Sequence, residues 1–134
     1  MKISNEELEF ITLLEQTCNQ TATACTIMPE TIAYLVEKGK IGMVVGKKGE
    51  NIKKLREKTG KNIEVFEFYP NSIDFIKNVF PGINLKEAVL EKNTLLLSFN
   101  SIEDKIKGLK NKNRFNAIKE ILKKGFGIEK IRVK

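Results

Sequence analysis

The chain has 134 residues, with 24 Lys and Arg against 17 Asp and Glu, a net charge of +7; 41% of residues are apolar, 7% aromatic, and neither Trp nor His occurs. That length suits one ordinary domain or two very small ones, and it holds no run of about 18 apolar residues that could span a membrane. The start Met1-Lys2-Ile3-Ser4-Asn5-Glu6-Glu7 lacks the apolar core of a signal peptide, and without histidine there is no Ser-His or Cys-His pair and no His-bearing metal site.

Ser4 and Glu7 form a capping box at the start of a helix, with Ile3 and Leu8 at the staple positions and Leu8, Ile11 and Leu14 on one face. The helix fades near Thr17. Thr21 to Met28 is small and β-branched and reads as a strand. Pro29-Glu30 turns the chain into a return strand, Thr31 to Val36, which Gly39 ends. Ile41, Val44 and Val45 lie at helical spacing. Gly46-Lys47-Lys48-Gly49 interrupts, and Glu50 to Thr59 is a second helix with Ile52 and Leu55 inward and Gly60 at its end. Ile63 and Val65 belong to a third strand.

Tyr69-Pro70-Asn71 breaks the pattern, and the order then recurs. Ser72 can cap a helix with Ile73, Ile76, Val79 and Phe80 inward, ended by Pro81-Gly82. Leu85 to Glu91 and Thr94 to Phe99 form a hairpin around Lys92-Asn93. Ile102 to Leu109 and Arg114 to Lys124 are helices, Gly125 and Gly127 stop the second, and Ile128, Ile131 and Val133 close with a strand. The halves overlay at an offset of 63 residues, so Ile52 falls on Phe115 and Leu55 on Ile118. An internal duplication is the best organisation: an α+β chain of two domains, 1–69 and 70–134, each α-β-β-α-α-β with a three-stranded sheet covered by helices. Units this small bury little, so the halves are expected to pack on each other, with Phe68 and Tyr69 between them.

Charge is concentrated in two blocks. Lys38 to Lys61 holds 9 basic residues against Glu50 and Glu57, and Lys105 to Lys134 holds 11 against Glu120 and Glu129. Polyanion binding is the natural functional reading, solubility the bland one. Cys18 and Cys25 stand at a spacing that matches no usual zinc pattern, and two thiols cannot close a tetrahedral site. They read as small apolar residues of a reduced compartment. Tyr34, Phe66, Phe99, Phe115 and Phe126 read as core aromatics rather than a stacking platform. No paired carboxylates share a cleft-forming element, so the chain reads as non-enzymatic, without cofactor or metal.

The stretch that carries chemistry is Ile41-Gly42-Met43-Val44-Val45-Gly46-Lys47-Lys48-Gly49-Glu50-Asn51-Ile52. G-x-x-G alone is weak; its place between two short helices, inside a basic block, is what gives it weight. Glycine at both ends lets the main chain turn sharply and lets a phosphodiester approach. The first N–H groups of the following helix have no internal partner and favour an anion, and Lys47 and Lys48 add two mobile charges. Such a loop positions a backbone and does not read bases.

Val44-Val45-Gly46-Lys47-Lys48-Gly49-Glu50-Asn51-Ile52 within α-β-β-α-α-β resembles a K-homology (KH) domain of the prokaryotic topology. The duplication, the tail from Gly125 to Val133 and the start from Glu6 to Ile11 are similar to the archaeal NusA-like transcription factors, short chains of two tandem KH units, and the similarity covers nearly the whole chain. The resemblance implies a cytoplasmic, monomeric factor for transcription elongation, termination or antitermination. Its implied partners are single-stranded RNA and RNA polymerase. Gly46, Lys47, Lys48 and Gly49 would be the clamp, with Asn51, Lys53 and Lys54 flanking the RNA groove. Ile41, Val44, Val45 and Ile52 would be its apolar support, and bases would lie beside Ile41, Val44, Ile52 and the strand from Thr31. In the second unit, Gly108-Leu109-Lys110-Asn111-Lys112-Asn113-Arg114 puts Leu109 and Lys112 where the glycines should be. Asn111 or Asn113 is expected in the left-handed conformation there, and Lys110, Lys112, Arg114 and Lys119 offer a secondary RNA contact. The competing reading is an adaptor on RNA polymerase, or a ribosome-associated KH protein.

Overall fold

The computed structural model describes residues 3–134; Met1 and Lys2, part of the start read against a signal peptide, lie outside the described residues. The chain divides into two compact units, the first ending at Phe68 and the second running from Tyr69 to Lys134.

The first unit consists of α1 (Asn5–Cys18), β1 (Ala24–Ile27), β2 (Thr31–Val36), α2 (Ile41–Val45), a single 3-10 turn (Lys47–Gly49), α3 (Glu50–Thr59) and β3 (Asn62–Glu67). Ser4 and Glu7 start α1 with a reciprocal capping box, Ser4 N–H to Glu7 Oε1 at 2.9 Å and Glu7 N–H to Ser4 Oγ at 3.1 Å. Ile11 and Leu14 are buried, with Phe10 and Leu13 partly buried against the same core. That arc leaves Leu8 on its rim, 54% exposed, and not inward as the periodicity suggested. β1 is shorter than the β-branched stretch from Thr21 to Met28 that announced it. The Met28 N–H donates to the Thr31 carbonyl at 2.8 Å and closes the hairpin over Pro29-Glu30.

The sheet order is β1-β2-β3, with β1 antiparallel and β3 parallel to the central strand. A parallel neighbour needs a crossover, and α2 and α3 supply it. The register sets Ile32 beside Ile63 and Tyr34 beside Val65. These side chains meet Ile11, Leu14, Val44 and Leu55 in one core. The Tyr34 hydroxyl donates to the Phe10 carbonyl at 2.8 Å and ties α1 to the central strand. Burial pushes that phenol above its ordinary range. No disulfide joins the two cysteines. Their thiols donate to main-chain carbonyls, Cys18 to Leu14 at 3.2 Å and Cys25 to Glu7 at 3.6 Å.

The second unit consists of α4 (Ser72–Asn78), β4 (Leu85–Glu91), β5 (Thr94–Phe99), α5 (Ile102–Leu109), α6 (Lys112–Phe126) and β6 (Lys130–Val133). Its sheet order is β4-β5-β6, again antiparallel then parallel. Asn71, not Ser72, caps α4: its backbone is extended and its Oδ1 accepts the Asp74 N–H at 2.9 Å, while Ser72 is already helical and buried. Phe75 is fully buried, whereas Ile73 is only partly so. α6 runs through Gly125, and Gly127, at φ 69°, ends it.

α5 docks in an unusual way. None of its residues is buried, and Ile102 and Ile106 are 76% and 64% exposed. The helix comes close to the core at Gly108, where a Cβ would stand 2.9 Å from the Phe99 ring and 3.3 Å from Phe80. Those two rings pack edge to face, centroids 5.4 Å apart. Gly→Ala inside a helix ordinarily gains about 1 kcal/mol. Here the overpacking, worth about 1–3 kcal/mol, dominates. Gly108→Ala should therefore lower stability by about 1 kcal/mol, read as an earlier urea midpoint at unchanged slope. A later midpoint would show that the glycine is not a packing requirement.

Candidate nucleic-acid interface

Between α2 and α3 the chain reverses in four residues. Gly46 lies at φ 81°, ψ 173°, Lys48 at φ 55°, ψ 28°, and Gly49 at φ 73°, ψ 20°, before Glu50 returns to the helical region. Gly46 occupies a region open essentially only to glycine. Lys48 is a non-glycine residue in the left-handed region, at a cost of about 1 kcal/mol. The loop coils as it crosses: the Gly49 N–H donates to the Gly46 carbonyl at 3.2 Å, and the Glu50 N–H to the Lys47 carbonyl. The first N–H of α3, expected bare, is therefore used within the loop, because the 3-10 turn runs straight into the helix. No side chain caps α3, whose N-cap is Gly49, whereas Ser4, Asn71, Ser101 and Asn111 cap α1, α4, α5 and α6.

Lys47 and Lys48 are exposed and, with Glu50 and Lys53, line an open depression of about 360 Å³. Among the described residues Lys47, Lys48 and Lys53 make no ion pair. Lys54 does: its ammonium lies 3.5 Å from the Glu50 carboxylate and partly offsets the acidic charge beside the loop. Other members of the basic block serve the fold, since Lys58 donates to Thr17 Oγ1 and Lys61 to the Met28 carbonyl. A Cβ at Gly49 would meet nothing within 4 Å, so that face of the main chain is open to a ligand. Gly46 is different. A Cβ there would stand 2.8 Å from Asn51 Nδ2, and that amide donates to the Met43 carbonyl at 3.3 Å. Asn51 is engaged inside the loop.

The apolar surface beside the loop is not the expected one. All six residues of β2 are buried, as is Val44, so neither the strand from Thr31 nor Val44 can touch a base. Ile41, Val45 and Ile52 are half-buried, and Met43 is 52% exposed. Helical phase carried the missed signal: with Val44 inward, its neighbour lies about 100° round the helix.

The second unit has no equivalent loop. Lys110 keeps helical torsions and Asn111 lies at φ −86°, ψ 100°, where its Oδ1 accepts the Arg114 N–H at 3.0 Å. Neither Asn111 nor Asn113 takes the left-handed conformation expected of one of them. With Asn111 used as a cap, the connection closes in two residues. Arg114 Nη2 donates to the Val79 carbonyl at 3.0 Å, and the Lys119 ammonium sits over the Phe115 ring at 5.1 Å. Of the four secondary candidates, only Lys110 and Lys112 are exposed without such a partner. No set of three His, Cys, Asp or Glu side chains among the described residues could hold a metal ion, and none of their helices is long and apolar enough to cross a membrane.

The sheet with its parallel crossover and the glycine-bounded loop between two helices define a KH domain, and the family model described as KH domain matches residues 11–86. Over 99% of its length the chain is 32% identical to the probable transcription termination protein NusA of Methanocaldococcus jannaschii, covering 75% of that protein. Over 69% of its length it is 34% identical to the protein of the same description from Methanococcus vannielii, covering 53% of that one. The crystal structure of APE1850 superposes with a TM-score of 0.86 at 29% identity, over 98% of this chain and all of that one. The chain belongs to the archaeal NusA-like KH proteins.

The loop's strain and its charge can be separated. Lys48→Gly removes about 1 kcal/mol of left-handed strain and adds a similar unfolded-state entropy cost, so stability should stay within about 1 kcal/mol of the parent. Lys48→Val, β-branched, should lose about 1 kcal/mol or more. Urea denaturation of the two variants checks the order; equal midpoints would contradict the left-handed assignment.

Proposed function

We propose that this chain is a non-enzymatic, single-stranded RNA-binding factor of transcription elongation, termination or antitermination, built from two tandem KH units. Gly46-Lys47-Lys48-Gly49 holds the RNA backbone. The observation that carries the reading is the open main chain at Gly49, uncapped by any side chain and flanked by two unpaired ammonium groups. An arrangement of that kind attracts a phosphodiester and leaves the bases free to lie on the neighbouring apolar surface. Family membership and the printed description of the relatives support the transcriptional role. The repeated strand order and directions support a second KH unit. The factor works as a cytoplasmic monomer, and RNA polymerase is the protein partner that this role implies.

The first unit takes about four nucleotides, through Lys47, Lys48, Lys53 and the surface of Met43. The second contributes general charge at Lys110 and Lys112. Two observations favour an adaptor role beside this: the second unit has no glycine loop, and α5 turns Ile102 and Ile106 outward.

Filter binding to a mixed-sequence single-stranded RNA separates the readings. Lys47→Asp with Lys48→Asp should reduce affinity by about 2 kcal/mol or more, the scale of two charge-assisted contacts, with an unchanged circular dichroism spectrum. The parent should lose log K against log salt with a slope of about −0.7 per phosphate neutralised, and the double variant should show a shallower slope. Undiminished affinity in the double variant would exclude the loop, and a parent that binds no RNA would leave the adaptor.

A further inference from the structure

The two loop glycines are required for different reasons. Gly49 faces open space, so only its positive φ and the approach of a ligand ask for glycine. Gly46 faces the protein. A Cβ on it would lie 2.8 Å from Nδ2, 2.9 Å from Cγ and 3.1 Å from the backbone nitrogen of Asn51. Asn51 thus reaches back from the first turn of α3, packs against the bare main chain of Gly46, and donates to the carbonyl of Met43 in α2 at 3.3 Å. The side chain spans both ends of the crossing. Between them stands Lys48, a non-glycine residue at φ 55°, a conformation that persists only where its surroundings hold it.

We propose that Asn51 is the positioning residue of this loop, a latch that fixes the Gly46 end against α3 and holds Lys47, Lys48 and the open face of Gly49 in one arrangement before any ligand arrives. The same bond sets the end of α2, and with it the exposed side chain of Met43 next to the clamp. For its consequence in binding the proposal rests on the RNA reading above; the latch itself is a property of the free chain. A ligand that must first order a loop loses affinity to that ordering, so a residue that never touches RNA still strengthens binding. The residue pair also accounts for the glycine at 46: a side chain there would displace the latch.

Amide hydrogen exchange in the free, full-length chain tests this without RNA. Asn51→Ala removes the bond and the contact. Asn51→Leu keeps the approximate bulk and replaces the amide, donor and acceptor alike, with methyl groups. Both should raise exchange at the Gly49 amide, which donates across the loop to Gly46, about fivefold, the change that one neutral hydrogen bond supports. Amides of β2 and of α3 beyond Leu55 should keep their rates, which shows that each variant is folded. Affinity for a mixed-sequence single-stranded RNA oligomer should fall by a similar factor, with the salt slope unchanged because no phosphate contact is lost. Parent-like exchange in both variants would overturn the latch. So would a loss of RNA affinity without faster exchange, which would make Asn51 a direct contact. Faster loop exchange in a chain whose parent binds no RNA would uphold the latch and reject the RNA reading instead.

Discussion

Four residues carry the chain from the end of α2 to the start of α3, and three of them hold a positive φ. That single constraint organises the first unit. The two helices are anchored by Val44 and Leu55, each fully buried against the sheet, so their ends cannot drift apart to relax the connection. The crossing must therefore be tight, and a tight crossing here needs left-handed backbone. Glycine meets the need at 46 and 49, and Lys48 meets it at a cost in strain. The result is a bend that pushes two lysines into solvent and leaves the main chain at Gly49 uncovered. The parallel strand order requires only the crossover itself, because β2 and β3 can be joined in no other way; the charge and bareness of the loop come from its own four residues.

The two units share element order and strand directions, yet they solve the same connection with different chemistry. In the first, Gly49 has no side chain to offer α3. In the second, the side-chain Oδ1 of Asn111 accepts the Arg114 N–H and consumes the helix start that would otherwise stay open. Arg114 is then drawn to the Val79 carbonyl and Lys119 to the Phe115 ring, so the basic residues there serve packing as much as any partner. Gly108 marks the same shift. It permits close contact with Phe99 and Phe80, and helix α5 is left with its isoleucines turned to solvent.

Much of this was legible in the residues. The Ser4–Glu7 box, the Pro29-Glu30 hairpin and the glycine-bounded lysines each carry a local signal, and local signals survive into the fold. What stayed hidden depends on the choice between neighbours or on tertiary contact. Asn71 and Ser72 are both good caps, and only the backbone decides between them. Gly125 and Gly127 can both stop a helix, and only the positive φ at 127 shows which does. β2 is the exception: a strand without alternation, apolar on both faces, is one buried on both. Asn51 looks like a polar residue flanking a groove. Its bond to Met43, eight positions earlier, exists only once the loop has closed.

The most direct measurement is crosslinking of the full chain to single-stranded RNA carrying 4-thiouridine, with the adducts mapped by mass spectrometry. The account predicts adducts between Met43 and Lys53, on the loop and the exposed methionine beside it. Adducts confined to residues 105–134, with the loop untouched, would contradict it.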